Sequence, residues 1–164
     1  MDKQDLKDLA STWWLSVVLS AAGLYYFLTR GHYTMMDNAD LVIHEAGHFV
    51  FAFMGEPLRM AGGTLLQILL PGGLAAYAFW SDFRVATQLF LFWLGHNLIN
   101  ISVYAADARS QLLPLIGGPN ARHDWHWMLG QLDILQYDHA IGTAFWLSSL
   151  VVFVVMALVP RQLF

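Results

Sequence analysis

His44, Glu45 and His48, in the stretch "LVIHEAGHFVFAFMG", place two imidazoles and a carboxylate inside an otherwise apolar run. Such side chains are costly to bury unless something binds them. Histidines four residues apart leave one face of a helix and can hold one ion, with Glu45 beside them to act on a water. This is the chemistry of zinc-dependent hydrolysis: the metal acidifies water to a pKa of about 7, and a neighbouring carboxylate takes the proton as a carbonyl is attacked.

Catalytic zinc commonly takes three protein ligands, so a third must come from elsewhere. In "FWLGHNLINISVYAADARSQLLPLIGG" a helical projection puts His96, Asn100 and Asp107 within about 40° of one another. That stripe either ligates or only hydrogen-bonds between helices. Asp107, an anionic oxygen near the helix end, is the preferred third ligand. The alternative source is "GGPNARHDWHWMLGQL", where His123 and Asp124 precede a short tryptophan-rich amphipathic run. Asp124 there also fits a helix N-cap, and His126 between Trp125 and Trp127 fits a membrane interface. His32 and His139 read as ordinary surface or interface residues.

The elements that must position these groups are membrane helices. With 57% hydrophobic and 12% charged residues, and positive mean hydropathy, the 164-residue chain departs from soluble domains. Apolar segments at 12–28, 41–54, 60–80, 85–106 and 140–159 approach the roughly 20 residues that cross a hydrocarbon core. The expectation is one all-α integral-membrane domain over 1–164, a bundle of four to five transmembrane helices. Glycine pairs around Pro71 make "GGTLLQILLPGG" (62–73) a candidate re-entrant piece lining the site. Its stretch 65–70 could pair with an unwound substrate as an added strand, with Gln67 a polar contact. The N-terminal apolar run has no small-residue cleavage site and reads as a retained anchor. With five spans and the N-terminus inside, Lys3, Lys7, Arg59, Arg109 and Arg122 fall inside and Arg30, Arg84 and Arg161 outside, a slight bias for that orientation. The absence of cysteine excludes disulfides and thiolate metal sites, and a thinly spread net charge of −4 excludes a nucleic-acid partner.

In "HEAGH" (44–48), the Gly-rich 62–73 segment and "NLINISVYAADA" (97–108), the chain resembles the site-2 protease family of intramembrane zinc metalloproteases, specifically its small single-domain bacterial relatives. The resemblance covers roughly residues 40–124. It implies His44, His48 and Asp107 as zinc ligands, Glu45 as general base, and Asn97 or Asn100 as holders of substrate backbone. It also implies a bacterial inner (plasma) membrane location and membrane-embedded peptide or protein substrates. The sequence departs from that family where Asp107 is flanked by alanines, and "HDW" at 123–125 has no counterpart in it. A non-proteolytic alternative is a membrane metal- or haem-binding protein, with His44 or His48 paired to His96 across a haem.

Overall fold

The computed structural model describes residues 3–116 and 121–162, with side chains described over 11–116 and 121–159. The side chains of Lys3, Lys7 and Arg161, used above for orientation, lie outside that range. Among the described residues six α-helices follow one another: α1 (Lys3–Leu28), α2 (Met35–Val50), α3 (Glu56–Trp80), α4 (Arg84–Ala106), α5 (Asp124–Gln131) and α6 (Asp138–Gln162). There is no strand among the described residues. Among the described residues four stretches are long and apolar enough to cross a membrane: 11–28, 56–80, 84–106 and 135–159. The fifth expected span, at 41–54, is instead the end of α2 followed by a single 3-10 turn at Ala52–Met54. That helix has 16 residues, about 24 Å at the α-helical rise and short of a hydrocarbon core of about 30 Å.

Local chemistry sets the boundaries. The N–H and hydroxyl of Thr34 both donate to Asp37 Oδ2, fixing the first turn of α2. Gly55, at φ +91°, turns the chain into α3, whose first turn holds Pro57 where a missing N–H costs nothing. Arg109 donates to the fully buried Asp138 and so ties the end of α4 to the start of α6.

Helix α4 packs against α1, α2, α3, α5 and α6. On one side Phe92 and Ile99 meet Leu19 of α1 and Phe153 and Met156 of α6 to form the apolar core. Gly95 lies against the Phe153 ring, and Gly142 lies against Ser102 and Ala106, so α6 comes close to α4. On its other side α4 faces α2 and α3.

The segment 62–73 is not re-entrant. It lies wholly within α3, with Pro71 inside the helix and buried. Residues 65–70 therefore spend their backbone groups on the helix and cannot serve as an added strand. The glycines at its start have another use: a Cβ on Gly62 or Gly47 would run into the other's backbone, and one on Gly63 would run into the His44 ring. They let α3 press against α2.

Candidate metal centre

The spacing 37, 40, 44, 48 keeps four titratable side chains of α2 along one stripe turned towards α3, α4 and α5. At its lower end His44 is buried and His48 half-buried. Asp124, the first residue of α5, reaches both: its Oδ2 is 2.9 Å from His44 Nε2 and 3.2 Å from His48 Nε2. In a tetrahedral zinc site with bonds of about 2.0–2.1 Å, neighbouring ligand atoms lie about 3.3 Å apart. The three atoms have the spacing and chemistry to hold a metal ion, and the geometry does not choose which.

The far sides of the rings favour that use. His48 Nδ1 lies 2.7 Å from the Arg59 carbonyl oxygen, which only accepts, so Nδ1 carries the proton and Nε2 of the neutral ring presents a lone pair. His44 Nδ1 lies 3.0 Å from Gln67 Oε1 in the same sense. Three electron-pair donors thus converge, an arrangement stable with a cation, or with a proton on an imidazole, between them. The hydrogen bond to Asp124 raises the pKa of His48 against its partial burial, helped by the Arg59 carbonyl. Burial pushes the Asp124 carboxyl up, but its bonds to His44 and His48 prevail and hold it at about 2.

Tyr104 aims Asp124. Its hydroxyl accepts from the Asp124 N–H at 3.1 Å and donates to Oδ2 at 3.3 Å, while its ring lies between those of His44 and His123. The N-cap of α5 is His123, whose Nδ1 accepts from the His126 N–H. The cap role expected for Asp124 therefore belongs to its neighbour.

Asp107, the preferred third ligand from sequence, is not in the group. It caps the end of α4, and its carboxylate accepts from Ser110 Oγ at 2.6 Å and from the N–H groups of Leu112 and Leu113, both at 3.0 Å. Those bonds, aided by His123 at 3.5 Å, draw its pKa down against the opposing effect of burial, and they spend the carboxylate on the turn. His96 and Asn100 share a face of α4, turned to Asp40 and Asp37 of α2, whereas Asp107 stands at the end of the helix and bonds to the turn that follows. His123, the other alternative, points Nε2 at Asp107 and not at the histidines.

A cavity of about 460 Å³ opens on the group. Glu45, His44, His48 and Asp124 line it together with apolar Phe49, Met60, Leu115 and Ile116, and Arg59 and Arg122 stand in its wall. Arg122 is held by Glu56 at 2.6 Å. None of Gln67, Asn97 and Asn100, expected as substrate contacts, lines it. Gln67 and Asn100 lie behind His44, and Asn97 donates to the Trp93 carbonyl in its own helix. His96, the haem partner of the alternative reading, is away from the cavity as well: Nδ1 pairs with Asp40 at 2.6 Å and the ring lies edge-on to Tyr26.

Asp37, Asp40 and His96 form a second group of ligand-type atoms. Every carboxylate oxygen there already faces a partner: Thr34 and Asn100 at Asp37, Trp93 and His96 at Asp40. Neither these aspartates nor Tyr104 emerged from the sequence. The 3-4-4 spacing from Asp37 to His48 was the signal for the former. Comparison with known proteins finds no matching family model, no similar curated protein and no similar solved structure.

Proposed function

We propose that this protein is a zinc-dependent intramembrane endopeptidase that hydrolyses peptide bonds of membrane-embedded substrates, in the manner of the site-2 protease family it resembles, and acts in a bacterial inner membrane. The observation that carries the reading is the meeting of His44 Nε2, His48 Nε2 and Asp124 Oδ2 at a cavity that Glu45 also lines, among long apolar helices. His44, His48 and Asp124 would hold the ion. Zinc supplies Lewis acidity towards a carbonyl and lowers the pKa of water to about 7.

The chain's own residues carry the remaining steps. Glu45 takes the proton of the attacking water and returns it to the leaving amine nitrogen. Phe49, Met60, Leu115 and Ile116 accept apolar substrate side chains and limit access of bulk water. Tyr104 and the Arg59 carbonyl keep Asp124 and His48 aimed.

The test is metal analysis of purified protein joined to cleavage of reconstituted single-span substrates, some carrying helix-breaking residues near the scissile bond. Wild type should hold about one zinc, His44→Ala and His48→Ala should lose it, and Glu45→Gln should keep it but not cleave. Full zinc in the double histidine variant would sink the site. Zinc-loaded wild type that cleaves no member of a broad panel would sink the protease reading and leave a metal-binding protein.

A further inference from the structure

Behind His44 runs an unbroken line of hydrogen bonds. Thr34 N–H and Oγ1 donate to Asp37 Oδ2 at 2.7 and 2.9 Å. Asp37 Oδ1 accepts from Asn100 Nδ2 at 3.0 Å, Asn100 Oδ1 accepts from Gln67 Nε2 at 3.0 Å, and Gln67 Oε1 meets His44 Nδ1 at 3.0 Å. The line crosses three helices, and Gln67 is 1% exposed.

We infer that Asp37 sets the tautomer of His44 through the side-chain amides of Asn100 and Gln67, and that all three are positioning residues for the metal-binding nitrogen. This rests on the metal reading for its purpose, though not for its direction. A glutamine amide is nearly symmetric in shape, and alone it could offer either oxygen or NH₂ to the ring. An ionised carboxylate can only accept. Asn100 must therefore turn its NH₂ to Asp37 and its oxygen to Gln67. Gln67 must in turn present NH₂ to Asn100 and oxygen to His44. The ring is left with hydrogen on Nδ1 and a lone pair on Nε2, the atom 2.9 Å from Asp124. Direction travels along the line from Asp37, while Asp124 across the ring also only accepts and draws a proton to Nε2 until a cation stands between them.

The logic predicts an inversion. In Asp37→Asn the side-chain oxygen stays with the Thr34 donors, so its NH₂ faces Asn100. Both amides then turn over, and Gln67 donates to Nδ1. His44 is driven to the Nε2–H tautomer, with its ligand nitrogen capped by a proton. Adding Asn100→Asp places an acceptor-only group in the middle and restores the original direction. Adding Gln67→Glu instead places it against the ring and does the same.

The experiment reads ¹⁵N shifts of His44 in metal-free, detergent-solubilised full-length protein, wild type and variants alike carrying Asp124→Ala so that no second carboxylate faces Nε2, and zinc affinity separately with Asp124 in place. Wild type should show the Nδ1–H form. Asp37→Asn should show Nε2–H and weaken zinc binding about 10–100-fold. The double variants Asp37→Asn/Asn100→Asp and Asp37→Asn/Gln67→Glu should return both readouts to wild type. A merely structural role for Asp37 would not be repaired by moving its charge along the line. The inference is overturned if Asp37→Asn leaves the tautomer unchanged, or if neither double variant recovers it. If the single variant does not fold, each double variant is compared directly with wild type, and a different tautomer overturns the inference. Wild type that shows the Nδ1–H form yet binds no zinc would refute the metal reading and leave the relay standing.

Discussion

The two sides of α4 differ in kind. Towards α1 and α6 it offers Phe92, Gly95 and Ile99 to a close-packed apolar seam. Towards α2, α3 and α5 it offers Trp93, His96, Asn100 and Tyr104, each hydrogen-bonded to an aspartate, with Asn100 also serving Gln67. The first side resists change because its side chains are buried in close contact, the second because its polar atoms depend on one another. One helix thus carries stability on one face and directed chemistry on the other, and substitutions should separate them.

The largest expected effect lies on the chemical side. Glu45→Gln should lower turnover by about 10²–10⁴-fold with zinc retained, as loss of a general base does. In zinc analysis, Asp124→Ala should lose the metal while Asp107→Ala keeps it. The latter frees the Leu112 and Leu113 N–H groups and should cost about 1–3 kcal/mol in a denaturation assay.

A matched pair of glycines gives the next contrast. Gly63→Ala drives a methyl into the His44 ring and Gly95→Ala drives one into Phe153. Both should cost about 1–3 kcal/mol of stability, but only Gly63→Ala should weaken zinc binding, by about tenfold or more. Equal zinc affinities would show that the two sides are not separable.

Acidification sharpens the same division. The raised pKa of His48 adds stability to the metal-free fold below its ordinary value of 6.5, and that stability fades as pH rises through the raised pKa. The depressed pKa of Asp124 adds stability above its ordinary 3.8, lost only as pH falls towards about 2. As pH drops below neutrality, protons should displace zinc at the imidazoles while Asp124 remains ionised and the fold persists. Zinc release and circular dichroism followed together should part company. Their coincidence would mean the metal holds the fold.

The smallest effect belongs to Gln88, which reaches across the apolar seam to Ser16 Oγ and the Met156 carbonyl. Gln88→Leu should cost about 1 kcal/mol and leave zinc affinity unchanged.

Helical class and the pair His44 and His48 were legible because they depend on local spacing and composition. The aspartate that meets them was not, because Asp107 and Asp124 differ in what surrounds them and not in type: Asp107 faces the N–H groups of its own turn, and Asp124, held by Tyr104, is turned towards the histidines. Glycine pairs beside Pro71 read as irregular backbone, whereas Gly62 and Gly63 serve a neighbouring helix. Sequence records that a residue is small but not what comes close to it.

His44 and Asp124 stand 80 residues apart in the chain. During synthesis α2 is made long before α5, so the two histidines exist first as an incomplete pair. The full ligand set arises only when the segment after α4 has folded back. Under the proposed function, a nascent chain therefore carries no finished hydrolytic site, and competence would arrive only with the last third of the polypeptide.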